Sequence, residues 1–85
     1  MDNSISSLEQ RVATVVERLF QDRSIGRLVR SEDNLSEVGL ASLDLVKLVV
    51  LVEDELDLLL PMSEITPGNF RSIASISRLM AKMLD

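Results

Sequence analysis

The sequence predicts an all-α fold, a small four-helix bundle with three main helices, one short helix, and a long loop after the first. Three observations predict it. Two stretches, near the start and at the end, repeat apolar residues at helical spacing. Between them a dense apolar run follows a glycine-containing loop and closes in acids. No stretch sustains the period-two alternation of a half-buried strand. The chain has 85 residues, and residues 1–85 are expected to form one domain.

The first helix is expected over about residues 5–21. Ser4, Ser6 and Ser7 offer N-caps, and Leu8, Val12, Val15, Val16 and Leu19 then share one face. Glu9, Arg11, Glu17 and Arg18 fill the other. Residues 22–41 lack a helical pattern and are punctuated by Gly26, Asn34 and Gly39. A loop that long in a compact domain is usually functional or disordered. Its apolar residues Ile25, Leu28, Val29, Leu35, Val38 and Leu40 predict that it packs onto the bundle.

The next helix is expected to start with Ser42 as N-cap, with Asp44 complementing the dipole in the first turn, and to end near Leu58. From Leu45 to Val52 it is apolar almost all round, broken by Lys47. A domain of this size cannot bury a helix on every side, so an exposed apolar patch near its start is expected, the kind of surface that marks interaction sites. Pro61 stops this pattern. Ser63-Glu64-Ile65-Thr66 suits one short helical turn, and the last helix spans Ile73 to Leu84 with Ile73, Ile76, Leu79, Met80 and Met83 inward.

Composition narrows the chemistry. There is no Cys and no His, hence no disulfide, no thiol nucleophile, no imidazole base and none of the usual zinc ligands. No metal site and no catalytic residue are expected, and the protein is not read as an enzyme. Hydrophobic residues make up 46% of the chain while Phe20 and Phe70 are its only aromatics, so aliphatic packing carries the core. Net charge is −5, concentrated in residues 31–64, where nine acids face one base, Lys47. That argues against nucleic acid and for partners with basic surfaces. The start, Met1-Asp2-Asn3-Ser4, shows no secretory signal, and the longest apolar runs, Leu48 to Val52 and Leu58 to Met62, are too short to span a bilayer. A cytoplasmic monomer without membrane attachment is expected.

The stretch that carries chemistry is Gly39-Leu40-Ala41-Ser42-Leu43-Asp44. A Ser hydroxyl at a helix N-terminus is accessible, and free N–H groups and the dipole there favour a phosphate ester. A lone Ser before a helix is most often a cap and nothing more. The surrounding sequence changes that balance: from Asn34 to Met80 the chain resembles the acyl and peptidyl carrier protein family. Gly39-x-x-Ser42-Leu43 looks like the motif that opens the family's second helix. Leu51-Val52-Glu53-Asp54-Glu55-Leu56-Asp57 is similar to that helix's acidic end, Leu58-Leu59-Leu60-Pro61 to the turn into a short third helix, and Ser72-Ile73 to the start of the last one.

The resemblance implies that Ser42 bears 4′-phosphopantetheine taken from coenzyme A, and that the arm holds a small acyl or aminoacyl group as a thioester. It implies three partners: a phosphopantetheinyl transferase, an acyl- or aminoacyl-activating enzyme, and a downstream transferase or synthase. Leu43, Val46 and Val50 would contact partners, with Glu53, Asp54 and Asp57 steering the encounter. The chain departs from the family where Ala41 replaces the usual Asp or His, where Lys47 replaces a common Glu, and where Leu59, Met62 and Ser63 stand in place of polar or acidic residues. These changes argue against fatty-acid housekeeping. Thr66-Pro67-Gly68-Asn69-Phe70 looks like a turn of stand-alone carriers in specialised natural-product pathways. Two alternatives stay open: a fatty-acid or polyketide chain carrier, and an unmodified helical interaction module.

Overall fold

The computed structural model describes residues 4–22, 26 and 28–84. Helix α1 spans Ile5–Asp22, α2 Ser42–Leu56 and α3 Ile73–Leu84, with a 3-10 turn at Met62–Glu64. Among the described residues there is no strand, and no helix is long and apolar enough to cross a membrane.

Helix α1 is the spine, packing against both α2 and α3. Of its three candidate caps Ser4 is the one used: its Oγ accepts the Ser7 N–H at 3.2 Å. Leu8, Val12, Val15, Val16, Leu19 and Phe20 are all buried. They meet Leu48, Val49, Val52 and Leu56 of α2 and Ile73, Ile76, Leu79 and Met80 of α3. Each such side chain contributes about 1.5–3 kcal/mol by leaving water. At the head of α3, Ser72 and Ser75 cap each other, Ser75 N–H donating to Ser72 Oγ at 3.1 Å and Ser72 N–H to Ser75 Oγ at 2.9 Å.

The loop after α1 does lie on the bundle. Leu35, Val38 and Leu40 are buried and Val29 is half-buried. Its backbone is tied to the segment leading into α3: Leu35 N–H donates to the Arg71 carbonyl at 2.8 Å, and Ala74 N–H to the Ser31 carbonyl at 2.9 Å. Ser31 Oγ donates to the Glu9 carboxylate of α1. Leu28 breaks the expectation, since it is 84% exposed; Ile25 lies outside the described residues.

Two boundaries shift. Helix α2 ends at Leu56 rather than near Leu58, because Asp57 turns into the left-handed region at φ 52°. Leu58 N–H then reaches back to the Glu53 carbonyl at 3.1 Å, which closes a Schellman-type end. The short helical turn falls on Met62–Glu64 instead of Ser63 to Thr66. It is moored to α3 through Glu64, whose carboxylate lies 3.2 Å from Lys82 Nζ.

Candidate functional site

The start of α2 presents three exposed residues between two buried ones. Gly39 has φ 124°, a conformation that L side chains resist, and this turns the chain so that Leu40 drops into the core. Leu40 N–H donates to the Leu35 carbonyl at 3.1 Å. Ala41, Ser42 and Leu43 then face solvent, and Asp44 is buried again at 3% exposure. Ser42 is not the N-cap. That position belongs to Ala41, in extended conformation at φ −83° and ψ 170°, and Ser42 is the first helical residue. The cause is Asp44: its Oδ2 accepts the Ala41 N–H at 2.9 Å, half of a capping box, and so starts the helix one residue earlier than a Ser cap would.

This placement suits an anionic ester on Ser42. The hydroxyl stands on an exposed residue, and the N–H groups of Ser42 and Leu43 occupy the first two helical positions, which have no intrahelical acceptor. The nearest carboxylate in sequence, that of Asp44, is withdrawn from the surface.

From Ser42 an apolar stripe runs along the outer face of α2. Leu43, Val46 and Val50 are 79%, 61% and 58% exposed and follow one another at helical spacing. Beside it lies an apolar groove of about 170 Å³, between Leu45, Val46 and Val49 of α2 and Ile65, Pro67 and Phe70 of the following loop. A larger recess of about 510 Å³ lies at the far end of α2, bordered by Val50, Glu53, Asp54, Asp57, Leu58 and Leu59.

The acids at that far end divide into two kinds. Asp54 and Asp57 are exposed. Glu53 is half-buried, and its Oε2 accepts the Leu60 N–H at 2.7 Å, so it braces the turn after the helix instead of standing free toward solvent. Glu55, outside the expected site, pairs with Arg11 of α1, Nε to Oε2 at 3.5 Å, while Arg11 Nη2 also donates to the Glu55 carbonyl at 2.7 Å. Among the described residues no group of His, Cys, Asp and Glu is arranged to hold a metal ion. Sequence reasoning noticed Asp44 only as a dipole partner. The readable signal was an acid three positions after Ala41, the spacing of a capping box.

With this geometry in view, comparison with known proteins is decisive. The family described as "Phosphopantetheine attachment site" matches residues 10–80.

The chain belongs to that family.

Its curated relatives include Aminoacyl carrier protein 2 of Bradyrhizobium diazoefficiens, 39% identical over 84 residues, covering 99% of this chain and 94% of the relative. Aminoacyl carrier protein 1 of the same organism is 33% identical over 80 residues, covering 94% and 89%. Two solved structures share the fold. One is a Bradyrhizobium japonicum glycine:[carrier protein] ligase complexed with glycylated carrier protein: TM-score 0.80 and 36% identity, covering 86% of this chain and 97% of the matched one. The other holds the cognate carrier protein and an analogue of glycyl adenylate, with TM-score 0.82 and 34% identity, covering 89% and 97%.

The phosphopantetheine carrier's four-element helical architecture is thus the one expected from periodicity, and its cofactor is covalent 4′-phosphopantetheine.

Proposed function

We propose that this phosphopantetheine carrier is modified on Ser42 and carries a small amino acid, delivered by an aminoacyl-activating ligase and passed to a downstream transferase or synthase. The observation that carries the reading is the exposed Ser42 hydroxyl at the first position of α2, within a chain similar over almost its whole length to an aminoacyl carrier protein. The whole of residues 1–85 is read as one carrier domain.

The chain's own part is to offer a nucleophile and hold it still. Ser42 Oγ forms a bond to phosphorus as the phosphoanhydride of coenzyme A breaks and its adenosine bisphosphate half leaves. The hydroxyl proton goes to a base on the transferase, for this chain has neither His nor Cys. First-turn N–H groups beside Ser42 favour the phosphodiester that results. When attached, the arm supplies the thiol that the sequence lacks, and an aminoacyl group is held on it as a thioester.

Leu43, Val46 and Val50 form the contact surface for the modifying and loading enzymes. Asp54 and Asp57 are the acids available for steering, with Glu53 contributing mainly through the turn it braces. The test is intact mass after incubation with coenzyme A and a phosphopantetheinyl transferase, then with an amino-acid ligase, ATP and glycine. The wild type gains one phosphopantetheine unit and then one glycyl unit, and Ser42→Ala gains neither. Modification followed by loading only with a fatty acid or an extender unit would favour the chain-carrier alternative. A folded wild type refused by transferases of different specificity would favour the unmodified interaction module.

A further inference from the structure

We infer that Asp44 is a positioning residue for Ser42, holding its hydroxyl at the angle the transferase needs; this rests on Ser42 being the attachment residue. Among the described residues Asp44 is the one charged side chain in the buried set, alongside Ser72 and Ser77. A buried carboxylate is costly unless it is hydrogen-bonded, so its placement calls for a compensating contact. One such contact is the Ala41 N–H at 2.9 Å, a charge-assisted bond at the positive end of the helix dipole.

Ala41 has no side-chain oxygen and cannot close the helix start itself. Its backbone carbonyl accepts from Asp44 N–H at 3.0 Å and Leu45 N–H at 3.2 Å, while its N–H is held by the Asp44 side chain. Residue Ala41 is therefore held on both sides of its Cα, at its N–H and at its carbonyl oxygen, and Ser42 is the next residue. Upstream, Leu40 fixes the chain through core burial and its bond to the Leu35 carbonyl. Three exposed residues are thus suspended between two buried anchors, and the downstream one, Asp44, bonds Ala41 through its side chain. Val46 and Val50, beyond Asp44 on α2, are exposed and do not depend on that bond.

Losing the bond should then lower the rate of modification at saturating carrier more than it weakens carrier binding. Asn keeps an acceptor oxygen of the same reach, so Asp44→Asn should rescue what Asp44→Ala loses. The experiment measures kcat and KM for phosphopantetheinylation with the apo chain as variable substrate, together with amide hydrogen exchange. Asp44→Ala is expected to lose about tenfold or more in kcat with KM within about threefold of wild type. Its Ala41 amide should exchange about tenfold faster while the core Val52 amide is slowed or quickened only with global stability. Asp44→Asn should retain kcat within about threefold.

A kcat in Asp44→Asn as low as in Asp44→Ala, or an unchanged kcat in Asp44→Ala, overturns the inference while the attachment reading stands. Should Asp44→Ala not fold, Asp44→Asn and the wild-type exchange decide it: a wild-type Ala41 amide exchanging as fast as that of exposed Leu43 also overturns it. A wild type that takes no arm at all is the failure of the attachment reading instead.

Discussion

At its N-terminal end α2 carries Ser42 between two buried anchors and beside a neutral, apolar stripe, with Lys47 as the nearest exposed charge along the helix. At its C-terminal end it carries Glu53, Asp54, Glu55 and Asp57, two of which are spent internally on Leu60 and Arg11. The two ends lie about 17–22 Å apart along the axis, at 1.5 Å per residue. Physiological salt screens exposed charges beyond about 8 Å. The acidic end therefore cannot set the electrostatics at Ser42, and a count of acids overstates what is left for partners. On the proposed reading, contact at the Ser42 end would be a matter of apolar fit, whereas the far end would influence only how partners approach.

The severest way to break this contrast is to remove what both ends share. Leu48 is fully buried beneath the helix, and Leu48→Ala should cost about 2–5 kcal/mol in chemical denaturation. That is a large share of the margin of a domain this small. The folded fraction should still be modified at the wild-type rate, since neither the Leu40 nor the Asp44 anchor depends on Leu48 for its hydrogen bond.

A sharper division comes from charging one end and neutralising the other. Leu43→Asp with Val46→Asp should lower kcat/KM for phosphopantetheinylation by about tenfold or more without unfolding the chain, because both side chains are exposed. Asp54→Asn with Asp57→Asn should change it by less than about threefold, and the change should shrink as salt is raised. Equal effects from the two pairs, or a larger one from the acids, would remove the distinction between the ends.

Asp57→Gly should have the smallest effect. Its left-handed φ of 52° suits glycine better than any L residue, so the variant should gain about 0.5 kcal/mol in stability, with modification changed by no more than in the Asp54 and Asp57 pair.

How much could be read beforehand follows the same division. Helix α3 was legible to its ends, Ile73 to Leu84, because a serine and a strongly amphipathic run mark them. Helix α1 was legible to within one residue, ending at Asp22. The end of α2 was overrun by two residues because Asp57 follows three acidic positions that read as helical, and nothing local announces a left-handed aspartate. Ser42 was misplaced by one position at the cap, since serine is a better intrinsic cap than alanine and the competing Asp44 bond depends on the carboxylate being buried. Leu28 was expected inside on hydropathy alone, yet a loop residue finds the core only if the backbone leads it there. The exposed stripe, by contrast, followed from a simple surplus: α2 has more apolar residues than one face can bury. Whether an acid is free or braced, as with Glu53, required the fold.

The most direct test of the account is the intact mass of wild type and Ser42→Ala after incubation with coenzyme A and a broad-specificity phosphopantetheinyl transferase, with both chains first shown to be folded. Because Ser42 is the first helical residue and not the cap, its replacement should cost only a few tenths of a kcal/mol, so Ser42→Ala remains a fair control. The account predicts one added phosphopantetheine unit on the wild type and none on the variant. An added unit on both chains, or on neither with transferases of different specificity, would contradict it.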